Sequence, residues 1–235
     1  MTLYAEASKP HSEKIESVKG ILAVVSHPDD ETFGCGGTLA LHAAYGGDVH
    51  VLCISCNPRE RRKEIVDACR ELGISDPSIW DENDVENTRL VVKSVADLIV
   101  KDRPRIVITH LPYDYHVDHR ATYSLVKEAI EWAAHTTTYK EPWLVDRLLL
   151  MEINTLIPIP GVIVDVSDVM DRKKAAISCY PTQLAKFPWC YYEDWNLKKT
   201  ELRGIQGNCN YAEAFQEDVL PRNGPFYPEK ATKSL

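Results

Sequence analysis

The sequence has no apolar run near the ~20 residues that a membrane-spanning helix needs; its longest, such as IVITHL (106–111) and LLLMEI (148–153), are of strand length. Basic charge is not in excess either. The 27 Lys and Arg against 35 Asp and Glu leave a net charge of -8, which argues against a nucleic acid or an anionic membrane held by bulk electrostatics. The first 20 residues lack the basic start and apolar core of a signal peptide, so the cytoplasm is the expected compartment. Internal repeats, low-complexity tracts and Gly/Ser linkers are also missing. One domain over 1–235, with a core spanning about 20–216, is the expectation, and a homo-oligomer is allowed.

Cysteine is present in an odd number, seven, in a chain long enough to fold without disulfide staples, so reduced thiols are expected. Cys53 and Cys56 form a CxxC without a second one to complete a metal site. Within the strand-like VLCISC an offset of three sends the two side chains to opposite faces, so ordinary packing is expected of both.

What is there is an alternation. ILAVVS (21–26), DVHVLCIS (48–55), RIVITH (105–110), RLLLMEIN (147–154) and GVIVDVS (161–167) read as strands. TLALHAAYGG (38–47), PRERRKEIVDACRELG (58–73), TRLVVKSVADLIVKD (88–102) and DHRATYSLVKEAIEWAA (118–134) read as helices, with Pro58 suited to a first turn and Gly73 to a C-cap. Uninterrupted apolar strands between helices predict a Rossmann-like α/β fold, a mostly parallel sheet with helices on both faces. The aromatic-rich KFPWCYYEDW (186–195) predicts a C-terminal cap over it.

Ligands of such folds sit beyond the carboxyl ends of strands, where strand order reverses. SHPDDE leaves the first strand and HLPYDYHVDH (110–119) a later one, and both are dense in His and Asp. His27 and Asp30, three apart around a Pro-fixed turn, can face one ion, and His119 can supply a third ligand; two His and a carboxylate leave the open position of a catalytic zinc. Asp29, directed elsewhere, stays free as a proton acceptor for a metal-activated water. Protonated His116, oriented by Asp118, would donate to the oxyanion. Gly34, Gly36 and Gly37 hint at a dinucleotide-binding turn, but GxGxxG from Gly34 needs a glycine where Leu39 stands, and the three acids would repel a pyrophosphate. The glycines are instead expected to let backbone pack closely beneath the metal loop.

HPDDE followed by GCGGT (34–38), HVDH-Arg (116–120), KKAAISCYPTQ (173–183) and RGIQGNCNYAEAF (203–215) together resemble the PIG-L/LmbE-like zinc-dependent N-acetylglucosaminyl de-N-acetylases. The resemblance implies zinc, replaceable by another divalent metal, on His27, Asp30 and His119. It implies Asp29 as general base and then acid, and His116 paired with Asp118 at the oxyanion. Arg61 stands where that family places a substrate-contacting Arg, and Tyr115 is a second candidate contact. Tyr211 and Glu213 are candidates to close the site, and Trp189, Tyr191, Tyr192 and Trp195 to stack on a sugar. The implied partner is a small amino-sugar conjugate, not a nucleic acid. Metal-dependent hydrolysis of a non-sugar amide and metal binding without turnover stand as alternatives. In departure from the family, Ser26 replaces the usual Ala, Val117 the usual Pro, and the loop SCNPRE is short, which implies a differently lined substrate mouth.

Overall fold

The computed structural model describes residues 20–81, 85, 88–187 and 189–220; the polar segment 1–19, on which the signal-peptide expectation rests, lies outside them. The chain runs β1 (Ile21–Val25), α1 (Asp30–Ala44), β2 (Val49–Cys53), α2 (Arg61–Leu72), β3 (Ser78–Ile79), α3 (Arg89–Asp102), β4 (Ile106–His110), α4 (Val117–Ala133), β5 (Arg147–Met151) and β6 (Val162–Asp165). A single 3-10 turn then leads into α5 (Met170–Ser178), α6 (Pro181–Leu184), α7 (Tyr191–Gly207) and β7 (Ala212–Asp218). No helix among the described residues is long and apolar enough to cross a membrane.

β1 shows why these runs become central strands. Ile21, Ala23 and Val25 enter one core, with residues of α1, α2 and α5, while Leu22 and Val24 enter another, with residues of α3 and α4. A strand buried on both faces has no polar side to alternate, and it reads as continuous hydrophobicity. The seven strands order as β3-β2-β1-β4-β5-β7-β6. The first five are parallel, and β7 alone runs against its neighbours. The order reverses between β1 and β4, so the loops that leave these two strands open a crevice between them.

Two expectations need correction. α1 begins at Asp30 and not at Thr38, so Gly34, Gly36 and Gly37 lie inside a helix and not in a loop. Their smallness still serves close approach. A Cβ on Gly34 would stand 2.5 Å from Met151 Sδ and 2.6 Å from Ile153 Cδ1, and one on Gly37 2.8 Å from Val166 Cβ, so any side chain would push α1 off β5 and the segment after β6. The C-terminal region is also more than a cap, because β7 is inserted between β5 and β6. The ends of other elements follow the expected chemistry: Thr88 Oγ1 accepts the Val91 amide at the start of α3, and Gly73 ends α2 with φ +75°. All seven cysteines are unpaired.

Candidate active site

The turn after β1 is tied at both ends. The His27 amide donates to Asp30 Oδ2 at 2.8 Å, and the Asp30 amide to the His27 carbonyl at 3.3 Å. Glu31, fully buried, accepts the Asp29 amide at 3.2 Å and the hydroxyls of Thr32 and Tyr180. Asp29 itself takes φ 117° at the N-cap position without capping the helix. A non-glycine residue in that region costs ~1–3 kcal/mol, and here the strain turns its carboxylate toward Arg61, whose Nη2 lies 3.0 Å from Asp29 Oδ2 and also binds the Pro28 carbonyl.

The turn between β4 and α4 supplies the opposing wall. His119 Nε2 stands 3.3 Å from Asp30 Oδ1, and its Nδ1 faces Asp114 Oδ1 at 3.3 Å. His27 mirrors this arrangement: Nδ1 lies 3.5 Å from Asp30 Oδ2, and Nε2 is hydrogen-bonded to Asp118 Oδ2 at 2.9 Å. Two triples of donor atoms, His27/His116/His119 and Asp30/His110/His119, each fall within 4.8 Å. The donor set fits a divalent ion, because each expected imidazole ligand has one nitrogen held by a carboxylate and the other aimed at Asp30, which is how metal-ligating histidines are oriented.

Burial and neighbouring charge tune these groups apart. Burial, reinforced by Asp30, raises the Asp29 carboxyl to about 8, and Arg61 offsets only part of this. Burial also opposes ionisation of Asp30, yet His119 and His110 hold it well below the usual carboxylate range. His119 is raised to about 10, because Asp30 and Asp114 outweigh its desolvation. His116 is lowered by desolvation and by the nearby His119 and His27. In this state the cluster holds its proton on His119, against the charge of Asp30.

The residues expected from the sequence all gather here, but two pairings differ. Asp118 Oδ2 is 4.0 Å from His116 Nδ1 and bonds His27 instead. The reason is local: His116 is the N-cap of α4, and its Nδ1 accepts the amide of Asp118 at 3.2 Å, which turns the Asp118 carboxylate away. Arg61 lines the cleft, yet its guanidinium is committed to Asp29 and the Pro28 carbonyl. Tyr115 stands exposed at the mouth. Glu213 does not close the site; it accepts the amides of Gly37 and Thr38 and pairs with Lys173. Sequence reasoning missed Asp114, although its spacing from Asp118 flanks both histidines of HVDH. It also missed His110, whose Nε2 lies 2.9 Å from the Ser26 amide and 3.1 Å from its Oγ. The cleft itself, about 270 Å³, is lined by His27, Asp29, Asp30, His116 and His119 at its base.

Imidazoles and carboxylates converging at the switch point of a Rossmann-like sheet define an α/β protein with a site suited to metal-assisted chemistry. Residues 22–130 match the family model described as PIG-L: GlcNAc-PI de-N-acetylase, and the chain belongs to the PIG-L family through this domain. The diacetylchitobiose deacetylase of Thermococcus kodakarensis is 26% identical over 231 residues, covering 87% of this chain and 85% of its own. A 4-oxalmesaconate hydratase of Pseudomonas putida is 28% identical over 242 residues, covering 87% and 90%. The crystal structure of the conserved protein TT1542 from Thermus thermophilus superposes with a TM-score of 0.78 at 28% identity, covering 88% of this chain and 97% of that one. Relatives of similar closeness thus carry different activities, and the choice among them falls to the site.

Proposed function

We propose that the protein is a zinc-dependent hydrolase that removes the acetyl group from an N-acetylglucosamine-type conjugate. The observation that carries this reading is Asp29, a buried carboxylate beside the ligand set and outside it, held against the cleft by Arg61. Metal binding alone requires no such group. His27, Asp30 and His119 would hold the ion. A zinc ion there supplies Lewis acidity, which polarises an acetamide carbonyl and acidifies water.

The chain's own residues perform the proton work. Asp29, whose proton affinity lies near neutrality, takes a proton from the attacking water and returns it to the amine nitrogen as the C–N bond breaks. Arg61 fixes the Asp29 carboxylate through its Nη2. Because the Asp118 amide occupies His116 Nδ1, a neutral His116 carries its proton on Nε2 and donates it in a hydrogen bond to the developing oxyanion. Asp118 and Asp114 act behind the ligands, holding His27 and His119. Acetate and a free amine leave.

The relative that is a hydratase motivates a second reading, addition of water to an anionic alkene. A polyanionic substrate calls for several free cations. The cleft offers Lys186 and an Arg61 already bound to Asp29, facing two carboxylates, which favours the amide. Acetate release from a panel of N-acetylglucosamine conjugates, measured on zinc-loaded and metal-stripped protein, decides: equal rates would remove the metal from the reading, and silence across the panel would remove the reaction.

A further inference from the structure

The cleft is small for what surrounds it. Its ~270 Å³ lies just below the 300–1,000 Å³ usual for ligand sites, which is room for one acetamido sugar over the ligand set and little beyond. An apolar wall nevertheless continues outward from it. Phe33, buried beside the ligands, stacks on Tyr192 with ring centres 5.5 Å apart at 28°, and both line the cleft. Tyr192 meets Phe187 at 5.7 Å, and Phe187 in turn meets Tyr191 at 4.9 Å and Trp189 at 5.6 Å.

The outer members of this wall are in water. Phe187 is 39% exposed, Tyr191 40% and Trp189 59%, and across the mouth Tyr115 is 73% exposed. Six aromatic side chains are exposed among the described residues, and all but Tyr45 stand in the two turns that frame the cleft, 113–115 and 187–191. Leaving so much ring surface hydrated is unfavourable unless something covers it in use. The wall starts inside the cleft, so what covers it is continuous with what fills the cleft.

We propose that Phe187, Trp189 and Tyr191, with Tyr192 at their inner end and Tyr115 opposite, form an outer subsite for a second ring of the substrate. Its chemistry is that of a ring with an apolar face, either a second pyranose presenting its C–H side or an aryl aglycone. This rests on the deacetylase reading. One-ring acetamido sugars fill the inner cleft only, and two-ring conjugates gain the wall.

The test uses the whole zinc-loaded chain and four probes: methyl N-acetyl-β-glucosaminide with one ring, its p-nitrophenyl counterpart with an aryl second ring, N,N'-diacetylchitobiose with a sugar second ring, and a buffer blank. We expect kcat/KM for at least one two-ring probe to exceed that of the methyl glycoside about tenfold, carried by KM, a ratio equivalent to ~1.4 kcal/mol. Which of the two wins identifies the ring. In the double variant Phe187→Ala/Trp189→Ala the ratio falls to near one, and Trp189→Phe restores most of it. A ratio near one in the unaltered protein, or a ratio the double variant keeps, overturns the proposal. Calorimetric titration with the same probes reads the subsite without turnover. If no probe releases acetate, the deacetylase reading has failed, and calorimetry still decides the subsite by a tenfold difference in Kd that the double variant abolishes. Should the double variant instead dissolve a dimer seen by sedimentation and leave the ratio intact, the wall covers a second copy of the chain and the proposal is wrong.

Discussion

Helix α1 has buried charge at two levels, and the two groups are arranged on opposite plans. At its first turn, Asp29 and Asp30 meet His27, His116 and His119 with donor atoms aimed at shared space and a cleft open above them. One turn further along, a second set surrounds the same helix. Lys173 pairs with Glu213 at 2.6 Å, Arg203 chelates Glu152, and Lys199 donates to the carbonyls of Phe33 and Glu152 at 3.0 and 2.8 Å. The Phe33 carbonyl and the Gly37 amide, the two groups of one i→i−4 step, thus each face a buried charged side chain, Lys199 and Glu213. Density of buried charge therefore does not mark a site. In the second set opposite charges answer each other and the helix backbone; in the first, groups that accept or bind the same kind of partner converge without one another's help. That difference separates a structure that works from one that holds.

Breaking the first set alone should leave the fold intact. Asp29→Asn is expected to lower kcat by roughly 10²–10⁴ while zinc content and the unfolding midpoint stay near those of the unaltered protein; a fully active variant would erase the distinction between the two levels. Breaking the second should do the reverse. Lys173→Met leaves Glu213 buried and unpaired and is expected to cost about 3–5 kcal/mol by denaturant unfolding, with much of that recovered in Lys173→Met/Glu213→Gln. A gentler change tests whether the carboxylates behind the imidazoles belong to the first plan. Asp118→Asn should weaken zinc binding about 10–100-fold, read by competition with a chelating dye, with little effect on the stability of the stripped protein.

The smallest effect concerns pH. Burial, aided by the Lys173 charge, depresses Lys199 to about 7 from 10.5. Between those two values the unfolded chain binds more protons than the folded one, so stability rises with pH across that window. Lys199 adds no slope below about 7, where it is protonated in both states. Its contribution is at most ~1.4 kcal/mol per pH unit, and Lys199→Met should flatten the curve between pH 7 and 10.

How much of this the sequence discloses follows from where each signal is stored. Strand runs such as ILAVV and RIVITH are legible because burial on both faces is written into consecutive residues. The ligand candidates are legible because His27, Asp30 and His119 sit at two strand ends of one sheet. The start of α1 is not, since Gly34, Gly36 and Gly37 have poor helix propensity, and only Met151, Ile153 and Val166 explain them. Nor is the division of labour between Asp114 and Asp118, because two carboxylates four residues apart can each face either histidine until the N-cap at His116 fixes the turn. Glu213 misleads for the same reason: a charge two residues from an aromatic reads as surface or site, and its partners lie 40 and 176 residues away.

The inserted position of β7 has a consequence for the order in which the molecule is assembled. β6 pairs with β7 and not with β5, and β7 fills the gap between them. During synthesis, residues 162–165 can therefore have no sheet neighbour until 212–218 have left the ribosome, and α1, made first, waits for Glu213 to receive its amides. Such long-range closure slows folding. The catalytic loops are written in the first 120 residues, but the scaffold that steadies them is locked only by β7, so a chain halted before residue 212 would carry both motifs and hold neither in place.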